Sequence, residues 1–518
     1  MLILTLNGKT IPSKHNKFHY FVVISQIRDL IMYKYLWTIL FLSIIAFSSC
    51  KKDRIFSSND FLKLSFSNDT LSFDTVFTTI GSSTRALMIY NHNNENLKIN
   101  SIKLAGGNSS PFSINIDGES GVDFNDMEIY SKDSLYIFVR VTIDPNDSDN
   151  PFFVEDQLIF ETNNNKQIVN LTAYGQNAIY IVADQYVSGF PKFKIVADSL
   201  QIVHWTAEKP YVIYGYALIN SYGTLIIDEG ARIHFHDGSG LWAYSEAQLT
   251  VNGTAANPVV FQGDRLESYY DDEPGQWDRI WLMEAREGYG HSINHAIIRN
   301  GFIGIQAQRF LKDNLALLTI DNTIIENHTG MGIYSNLYNI KTSNSVVANC
   351  GNYAVALTGG GEYLFEHTTV ANYWNGSARS TPSLFFNNIY QNPTDGIYYA
   401  NDFFFEMDNS IMYGNYKDEF DTEFYAGTDT TYIFNNCLLK TRRINNEIFS
   451  NFNECLFNHD PKFVNYNEFN YHLDTLSPAI GLGNPIYSVG LLQYDLDGIA
   501  RGNHPDAGAY QYVPNVED

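Results

Sequence analysis

A six-residue frame recurs along the second half of the chain: a polar residue, any residue, two mostly apolar residues, any residue and a final residue that is usually asparagine. Successive copies close 17 to 27 residues apart, the first interval running from Asn300 to Asn327. Recurrence at this period predicts a solenoid, in which each repeat buries its apolar face by stacking on the next. The copies are HAIIRN (295–300), NTIIEN (322–327), NSVVAN (344–349), HTTVAN (367–372), NNIYQN (387–392), NSIMYG (409–414), NCLLKT (436–441) and NECLFN (453–458).

The centre of each copy is a short run, often β-branched, between asparagine or glycine residues, which is typical of a strand followed by a turn. A repeat of about 22 residues is too short for a strand and a full helix, but it accommodates three short strands. The sequence therefore predicts a parallel β-helix, in which equivalent asparagines lie about 4.8 Å apart and hydrogen-bond along a ladder. A β-sandwich would show similar turn residues, but its turns come about every 8–12 residues.

Residues 61–178 show a different pattern, with strand-like segments such as DTLSFDTVF, LKINSIKL and QIVNLTAYG at closer spacing. This spacing predicts a β-sandwich. The residues that mark it are Phe73, Val76, Asn91, Phe112, Pro145, Asn163 and Gly175. On these residues the segment resembles the immunoglobulin-like modules found beside anchored bacterial surface domains, which implies a spacer role.

Residues 223–263 extend the β-helix pattern upstream, with short alternating strands closed by glycine or asparagine. The pattern of this stretch and of the residues just after it is marked by Gly223, Leu225, Ile227, Gly230, Gly253, Thr254, Pro258, Phe261, Pro274, Gly275 and Trp277. They resemble the opening coils of a family of right-handed parallel β-helix lipoproteins with a pectate-lyase-like fold. The resemblance implies an all-β chain, with an immunoglobulin-like β-sandwich at 61–178 and a right-handed parallel β-helix solenoid at 179–514.

Residues 460–484 and 495–512 resemble the C-terminal ending of the same family. The tetrapeptide DLDG in the second stretch lacks the spacing and terminal glutamate of an EF-hand calcium loop. We interpret its two aspartates and two charged residues that follow it as hydrogen-bonded turn and cap residues, in line with the polar end caps that solenoids need. These residues are Asp495, Asp497, Arg501 and Asp506.

An export signal precedes the first domain. The run from Leu36 to Phe47 contains 12 mostly apolar residues, too few to cross a bilayer and typical of a signal peptide. Residues 1–31 resemble no targeting element. We therefore predict a signal peptide region at 1–49 and a translation start at Met32.

The end of this signal, FSSC (47–50), resembles the lipobox of bacterial lipoproteins, although Phe47 replaces the usual leucine. The resemblance implies a lipid on Cys50 and a lipidated tether over residues 50–60. It also implies an outer membrane lipoprotein of a Gram-negative bacterium, on the periplasmic face or at the cell surface. A cysteine that follows the signal by chance is the alternative.

The chain is acidic, with 57 Asp and Glu residues against 33 Lys and Arg residues and a formal net charge of −24. Nucleic acid is therefore excluded as a partner, because binding it requires a basic surface. Cationic ligands, divalent metals and neutral sugars remain, and solubility alone also explains the charge.

Four cysteines, at 50, 350, 437 and 455, are too few for a disulfide framework in 518 residues. Cys437 and Cys455 lie one coil apart and are therefore candidate neighbours in space. Buried free thiols are the simpler interpretation.

One insertion between coils carries candidate binding residues. The acidic loop, residues 264–281 (DRLESYYDDEPGQWDRIW), combines carboxylates, arginines and aromatic rings. Insertions of this kind form loops on one face of a solenoid, and aromatic rings with planar polar groups bind sugars. A solvated loop without a ligand is the alternative. The candidate ligand-binding residues are Tyr269, Tyr270, Asp271, Asp272, Glu273, Trp277 and Arg279.

Four histidines, at 234, 236, 291 and 295, have spacings that a metal site would allow. Histidines on strands more often pack or face solvent, so we predict no metal ion and no cofactor. No catalytic signature of the β-helical polysaccharide lyases and hydrolases is in register, and the catalytic residues are unknown.

These features predict a lipid-anchored cell-envelope protein whose β-helix binds a partner, with a glycan or envelope polysaccharide as the expected ligand and the membrane contacted through the anchor. Two alternatives remain. The first is a polysaccharide lyase or glycoside hydrolase that acts on an acidic polysaccharide with Asp271, Asp272, Glu273, Arg279 and bound Ca²⁺. The second is a purely structural envelope protein.

Overall fold

The computed structural model describes residues 55–146, 151–310, 317–392, 396–443 and 449–514. The signal peptide region at 1–49, the lipidation site Cys50 and the first tether residues lie outside the described residues. Over the described ranges the chain is all-β, with six short 3₁₀ turns, and it contains no helix long and apolar enough to cross a membrane. The 3₁₀ turns are Gly107–Ser109, Ser268–Tyr270, Phe449–Asn451, Tyr466–Glu468, Pro485–Tyr487 and Gly490–Gln493.

The N-terminal unit contains two five-stranded sheets that share one core. Alternate residues of each strand are apolar and buried, so Leu87 and Ile137 of the first sheet meet Ile99 and Leu171 of the second. The first sheet comprises, in spatial order, Ser65–Phe66, Arg85–Tyr90, Ser134–Val141, Phe112–Ile116 and Glu119–Gly121. The second comprises Thr70–Phe77, Asn165–Gln176, Phe152–Thr162, Leu97–Leu104 and Asp123–Ile129.

From Ile179 to Phe457 the chain forms three long sheets, here called sheets I, II and III, whose neighbouring strands all run parallel. The chain visits the three sheets in rotation, which is the architecture of a parallel β-helix and confirms the predicted solenoid. Sheet I comprises Ile179–Val182, Tyr211–Tyr214, Arg232–Phe235, Val259–Gly263, Ala296–Arg299, Ile324–His328, Val346–Cys350, Thr369–Asn372, Ile411–Gly414, Leu438–Leu439 and Leu456–Phe457.

Sheets II and III complete the coils. Sheet II comprises Phe193–Ala197, Tyr216–Ile219, Gly240–Ala243, Ile280–Leu282, Ile303–Gln308, Met331–Asn336, Val355–Thr358, Leu384–Asn387 and Phe420–Glu423. Sheet III comprises Ile202–Trp205, Thr224–Asp228, Gln248–Asn252, His291–Asn294, Leu317–Asp321, Asn339–Ser343, Gly361–Glu366, Phe403–Asp408, Thr430–Asn435 and Phe452–Asn453.

The two apolar positions of the sequence frame face opposite sides of sheet I. In the copy that contains Val346 and Val347, Val347 belongs to the core inside the coils, whereas Val346 belongs to a second apolar cluster on the outer face. Both residues are fully buried. The paired apolar residues therefore recur because both faces of sheet I are covered over these coils.

Most copies of the frame begin, and several also end, at a corner in the left-handed backbone region, whereas the closing residues Asn372, Gly414 and Thr441 are not left-handed. His295 has φ 47° and Asn300 has φ 65°. Asparagine tolerates this region better than other residues with a side chain, which explains its recurrence at these positions. The other corners are Asn322, Asn327, Asn344, Asn349, His367, Asn409, Asn436, Glu454 and Asn458.

One predicted copy of the frame, NNIYQN at 387–392, is not a coil. Its strand Ile389–Gln391 pairs antiparallel with Tyr398–Ala400 in a separate hairpin. Sheet I passes directly from Thr369–Asn372 to Ile411–Gly414, with Asn372 opposite Gly414. The prediction for this copy is wrong, because the short motif fits a hairpin strand as well as a stacked one.

Residues 458–514, here called the cover segment, fold back along the outer face of sheet I instead of closing the end of the rod as the sequence suggested. Tyr471 and Ala509 of this segment pack in the same cluster as Val346, Ile411 and Leu438. The segment contains one hairpin, Phe463–Asn465 with Asn470–Leu473.

The predicted turn residues stabilise this segment from within and attach it to the coils. The Asp495 carboxylate accepts hydrogen bonds from the main-chain N–H groups of Asp497, Ile499 and Gln511. The buried Arg501 donates from Nη2 to Asn344 Oδ1, at 2.9 Å. The interpretation as turn residues is therefore confirmed, but their place is the side of the solenoid.

Candidate functional site

The acidic loop leaves sheet I after Gly263 and re-enters the coils at the strand Ile280–Leu282 of sheet II. Its first part is fixed to the N-terminal unit. Glu267 is 4% exposed, accepts a 2.7 Å hydrogen bond from Ser83 Oγ and lies 2.6 Å from Arg265 Nη2. The loop therefore attaches the β-helix to the N-terminal unit, a role that the sequence did not predict for Glu267.

The second part of the loop rests on the asparagine ladder, formed by Asn300, Asn327 and Asn349. Asn349 Nδ2 donates to Asn327 Oδ1 at 3.0 Å, and Asn327 Nδ2 donates to Asn300 Oδ1 at 2.8 Å. The predicted amide ladder is confirmed over these three coils. It stops at Asn372, whose Oδ1 accepts from the main-chain N–H of Cys350.

The ladder also donates to the loop backbone. Asn300 Nδ2 donates to the carbonyl oxygen of Asp271, and Asn327 Nδ2 donates to that of Asp272, both at 2.7 Å. The side chains of Asp271, Asp272 and Glu273 remain exposed to solvent. The coils therefore hold the loop through its main chain and leave three carboxylates outside.

Trp277, one of the candidate ligand-binding residues, lies inside the β-helix and not on the surface of the loop. It is 1% exposed, and its ring stacks on Phe235 with the ring centroids 4.5 Å apart. Its Nε1 donates to the carbonyl oxygen of Arg299 at 2.8 Å. The aromatic faces are occupied by the core, so they are unavailable to a sugar.

Arg279 lies at the start of a sheet II strand and makes its contacts there. Its Nε donates to Asp278 Oδ1 at 2.9 Å, and Nη1 donates to Gln306. The guanidinium lies over the ring of Phe302, 5.5 Å from its centroid. None of these partners is a carboxylate of 271–273, so the structure does not bring Arg279 together with them.

Tyr269 and Tyr270 occupy the outer side of the loop. Tyr269 is 77% exposed and packs edge-on against Tyr270 at 5.2 Å. Arg265 covers the Tyr270 ring at 4.8 Å from its centroid. Tyr270 and Asp271 line a small cavity of about 60 Å³ with Gln276 and other neighbours.

A larger cleft, of about 610 Å³, lies beside the asparagine ladder. It brings Asp272 and Glu273 of the acidic loop together with residues that follow the sheet I strand Thr369–Asn372 and with the hairpin of the cover segment. The lining residues are Asp272, Glu273, Pro274, Asn327, Thr329, Asn349, Tyr373, Trp374, Asn375, Gly376, Ser377, Tyr466, Asn467 and Phe469.

Aromatic rings form one wall of this cleft. Tyr373 and Tyr466 stack with centroids 4.0 Å apart and ring planes 14° apart. Trp374 lies beside them and donates from Nε1 to Ser377 Oγ at 3.0 Å. None of these aromatic residues was predicted to bind a ligand, although the stretch NYWNGS (372–377), which begins at the last residue of HTTVAN, marks an aromatic insertion at a coil corner.

A buried ion pair fixes this wall. Arg379 and Glu419 have side chains 2% and 0% exposed and form two hydrogen bonds of 2.7 and 2.8 Å. Arg379 also donates to the carbonyl oxygen of Asn372, at the residue before Tyr373. Glu419 accepts two further hydrogen bonds from Ser383. The segment that carries Tyr373 and Trp374 is therefore anchored to the next coil.

The charged residues that line the cleft, Asp272 and Glu273, are both acidic. A third carboxyl, Glu326, directly precedes the cleft residue Asn327 on sheet I. The pKa of Glu326 is raised to about 7, chiefly by burial, with the positive charge of Arg299 lowering it and the negative charge of Asp272 raising it. This side of the cleft therefore favours neutral or positively charged groups.

The four histidines considered for a metal site occupy separate places. His234 and His291 are buried, and burial lowers the pKa of each to about 4, so both are neutral near pH 7. They contact the carbonyl oxygens of Gly263 and Met283, respectively. Across the described residues, no group of three or more His, Cys, Asp or Glu side chains is arranged to hold a metal ion.

No family model matches the chain. No curated protein matches it either. Among solved structures it is similar to a family 123 glycoside hydrolase from Clostridium perfringens, with 8% identity, 22% of this chain covered, 27% of that chain covered and a TM-score of 0.17. The chain thus spans about a quarter of that hydrolase.

Two further similarities concern a PapD-like domain of human CEP192 and a protein of unknown function from Porphyromonas gingivalis. The first has 14% identity, with 25% of this chain and 95% of that chain covered and a TM-score of 0.16. The second has 12% identity, with 26% and 58% covered and a TM-score of 0.17. TM-scores this low support no conclusion about the present chain.

Proposed function

We propose that the cleft beside the asparagine ladder binds a glycan and that the protein presents it from a lipid-anchored position in the cell envelope. The observation that carries this proposal is the combination of the Tyr373–Tyr466 aromatic wall with amide and carboxylate acceptors across one cleft. Aromatic rings pack against the C–H faces of sugars, and a few polar groups fix the hydroxyls. No cofactor is required.

The charge of the cleft selects the class of glycan. Among the described residues, Asp272 and Glu273 line it and no Lys or Arg does, and the whole chain carries a net charge of −24. Like charges repel an acidic polysaccharide during approach and in the complex. The proposed ligand is therefore a neutral or amino-sugar glycan. The position of Arg279 also argues against the lyase or hydrolase alternative, which needs that residue beside the loop carboxylates.

The remaining parts of the proposal rest on sequence. The lipobox-like segment ending at Cys50 supports a lipid anchor and an outer membrane location on either face. The resemblance to right-handed β-helix lipoproteins supports the handedness of the coils and the pectate-lyase-like class. An immunoglobulin-like N-terminal unit would act as a spacer, and the Ser83–Glu267 contact supports a fixed join between it and the β-helix.

A glycan array probed with the mature chain tests the function. The array includes neutral, amino-sugar and uronic-acid glycans, and binding is expected for the first two groups only. Tyr466→Ala removes a 40% exposed ring from the cleft and should weaken binding about tenfold or more. Tyr269→Ala, a matched tyrosine outside the cleft, should leave binding unchanged. The absence of any bound glycan, or equal effects of the two variants, contradicts the proposal.

A further inference from the structure

The last two coils place two cysteines in neighbouring positions. Leu438 and Leu456 are paired in sheet I, and the N–H of Leu456 donates to the carbonyl oxygen of Cys437 at 2.8 Å. Cys437 and Cys455 each precede one of these leucines, so they occupy equivalent positions on adjacent coils. Neighbouring strands lie about 4.8 Å apart, which is within the Cα separation of about 4.4–6.8 Å that a disulfide spans.

Both side chains point into the β-helix. Cys437 is fully buried in the core inside the coils, and Cys455 packs against the same core. Each thiol donates to main-chain carbonyl oxygens, Cys437 to those of Met407 and Asn435 at 3.2 Å and Cys455 to those of Phe434 and Asn453 at 3.4 Å. The two side chains therefore lie on the same inner face of adjacent coils, as a disulfide requires.

The two thiols differ in reactivity. Cys455 is partly exposed, and the neighbouring Cys437 thiol lowers the pKa of its own thiol. Burial raises the pKa of the Cys437 thiol well above its ordinary value. The thiolate is the reactive form of cysteine. Cys455 is therefore the thiol that meets an external oxidant first, and Cys437 is positioned to resolve the product.

We propose that Cys437 and Cys455 are an oxidation site that forms a disulfide between the last two coils. Cys455 thiolate attacks one sulfur of an external disulfide, which forms a mixed disulfide and releases one thiolate. Cys437 then attacks the Cys455 sulfur and releases the second thiolate. The cysteines lose two electrons and two protons, and the external disulfide is reduced to two thiols.

The cross-link would join the last two coils of the β-helix. The strands Leu438–Leu439 and Leu456–Phe457 are two residues long, and Leu456–Phe457 is the last strand of sheet I within the described residues. The cover segment leaves from this coil and carries Tyr466 to the cleft. A disulfide between the two coils would therefore stabilise the coil from which the cover segment, with Tyr466 of the cleft wall, extends. The inference does not depend on glycan binding.

Peptide mapping of the full-length chain tests this site. The folded protein is incubated with oxidised glutathione, alkylated, digested without reduction and analysed by mass spectrometry. We expect a peptide pair joined through Cys437 and Cys455 that lacks two hydrogen atoms, while the buried Cys350 is alkylated after denaturation. Cys350→Ser serves as the matched control and should keep the cross-link, whereas Cys455→Ser should abolish it.

Thermal unfolding supplies the second readout. Oxidation should raise Tm in the wild type and in Cys350→Ser, because a cross-link restricts the unfolded chain, and should leave Tm of Cys455→Ser unchanged. Two outcomes overturn the proposal. The first is full alkylation of both cysteines in the oxidised protein, and the second is a disulfide that joins Cys350 or a second copy of the chain instead.

Discussion

Asn327 and Asp272, 55 residues apart in the chain, are joined by a 2.7 Å hydrogen bond from the side-chain amide of the first to the carbonyl oxygen of the second. The same amide group donates to Asn300 Oδ1. Through this bond a corner of the repeat holds the tip of the acidic loop at the edge of the cleft. The regular part of the chain thus positions the irregular part that we propose to contact the ligand.

Replacement of Asn327 separates its two roles, as a left-handed corner with φ 60° and as a hydrogen-bond donor. Asn327→Ala should lower the free energy of unfolding by about 2–4 kcal/mol, because it loses the amide bonds and strains the corner. Asn327→Gly keeps the corner unstrained and should cost about 1–2 kcal/mol. Urea unfolding measures both. Equal losses in the two variants would show that the corner conformation is not under strain.

Trp277 should behave as a core residue. Trp277→Ala removes a ring that is 1% exposed and should lower the free energy of unfolding by about 3–5 kcal/mol. Tyr269→Ala, in the same loop but 77% exposed, should change it by less than about 0.5 kcal/mol. Denaturant unfolding of the two variants makes the comparison. A Trp277→Ala protein with wild-type stability would refute the buried position.

The Arg379–Glu419 pair should be sensitive to the loss of one partner. Glu419→Gln leaves the buried guanidinium without its counter-charge and should cost about 3–5 kcal/mol of unfolding free energy. The surface pair Lys462–Asp460, with side chains 51% and 57% exposed, is the control, and Lys462→Met should cost about 1 kcal/mol at most. Urea unfolding again measures the change. Similar costs for the two variants would mean that solvent reaches the buried pair.

Glu326 should make stability decrease as the pH rises. Its pKa of about 7 in the folded chain lies above the ordinary value of 4.5, so between these values the folded form keeps a proton that the unfolded form has released. Stability is then lost between pH 4.5 and 7 and stays low above pH 7. Glu326→Gln should remove this contribution and stabilise the protein at pH 8 by about 1–3 kcal/mol. Parallel pH profiles for the two proteins would contradict the raised pKa.

The coils could be predicted from the sequence because the same corner and strand residues recur at regular spacing, and each repeat needs them for its own local conformation. Asn300, Asn327 and Asn349 recur because each forms a left-handed corner and a stacked amide on its own coil. The paired apolar residues correctly indicated strands. NNIYQN misled because two apolar residues between asparagines satisfy a hairpin equally well, and only the pairing of Asn372 with Gly414 distinguishes the two.

The cleft could not be predicted in the same way, because its walls come from distant segments. Four coils separate Asp272 from Tyr373 along the chain. Tyr466 joins them only when the cover segment folds back onto sheet I. Trp277 shows the opposite error. Residues 271–273 of the same loop are exposed, but the chain turns inward at Trp277, and residue type alone does not report such a turn.

The cover segment also determines the order in which parts of the chain can complete their folding. Its attachments reach far back along the chain, since Tyr494 and Arg501 bond to Asn344 over 150 and 157 residues. The coils can form one after another during synthesis. The apolar outer surface of Val346, Ile411 and Leu438, however, stays exposed to solvent until the chain has been synthesised up to Tyr510. A chain truncated before Phe463 would leave this apolar surface exposed to solvent. Two such chains would be expected to associate through it.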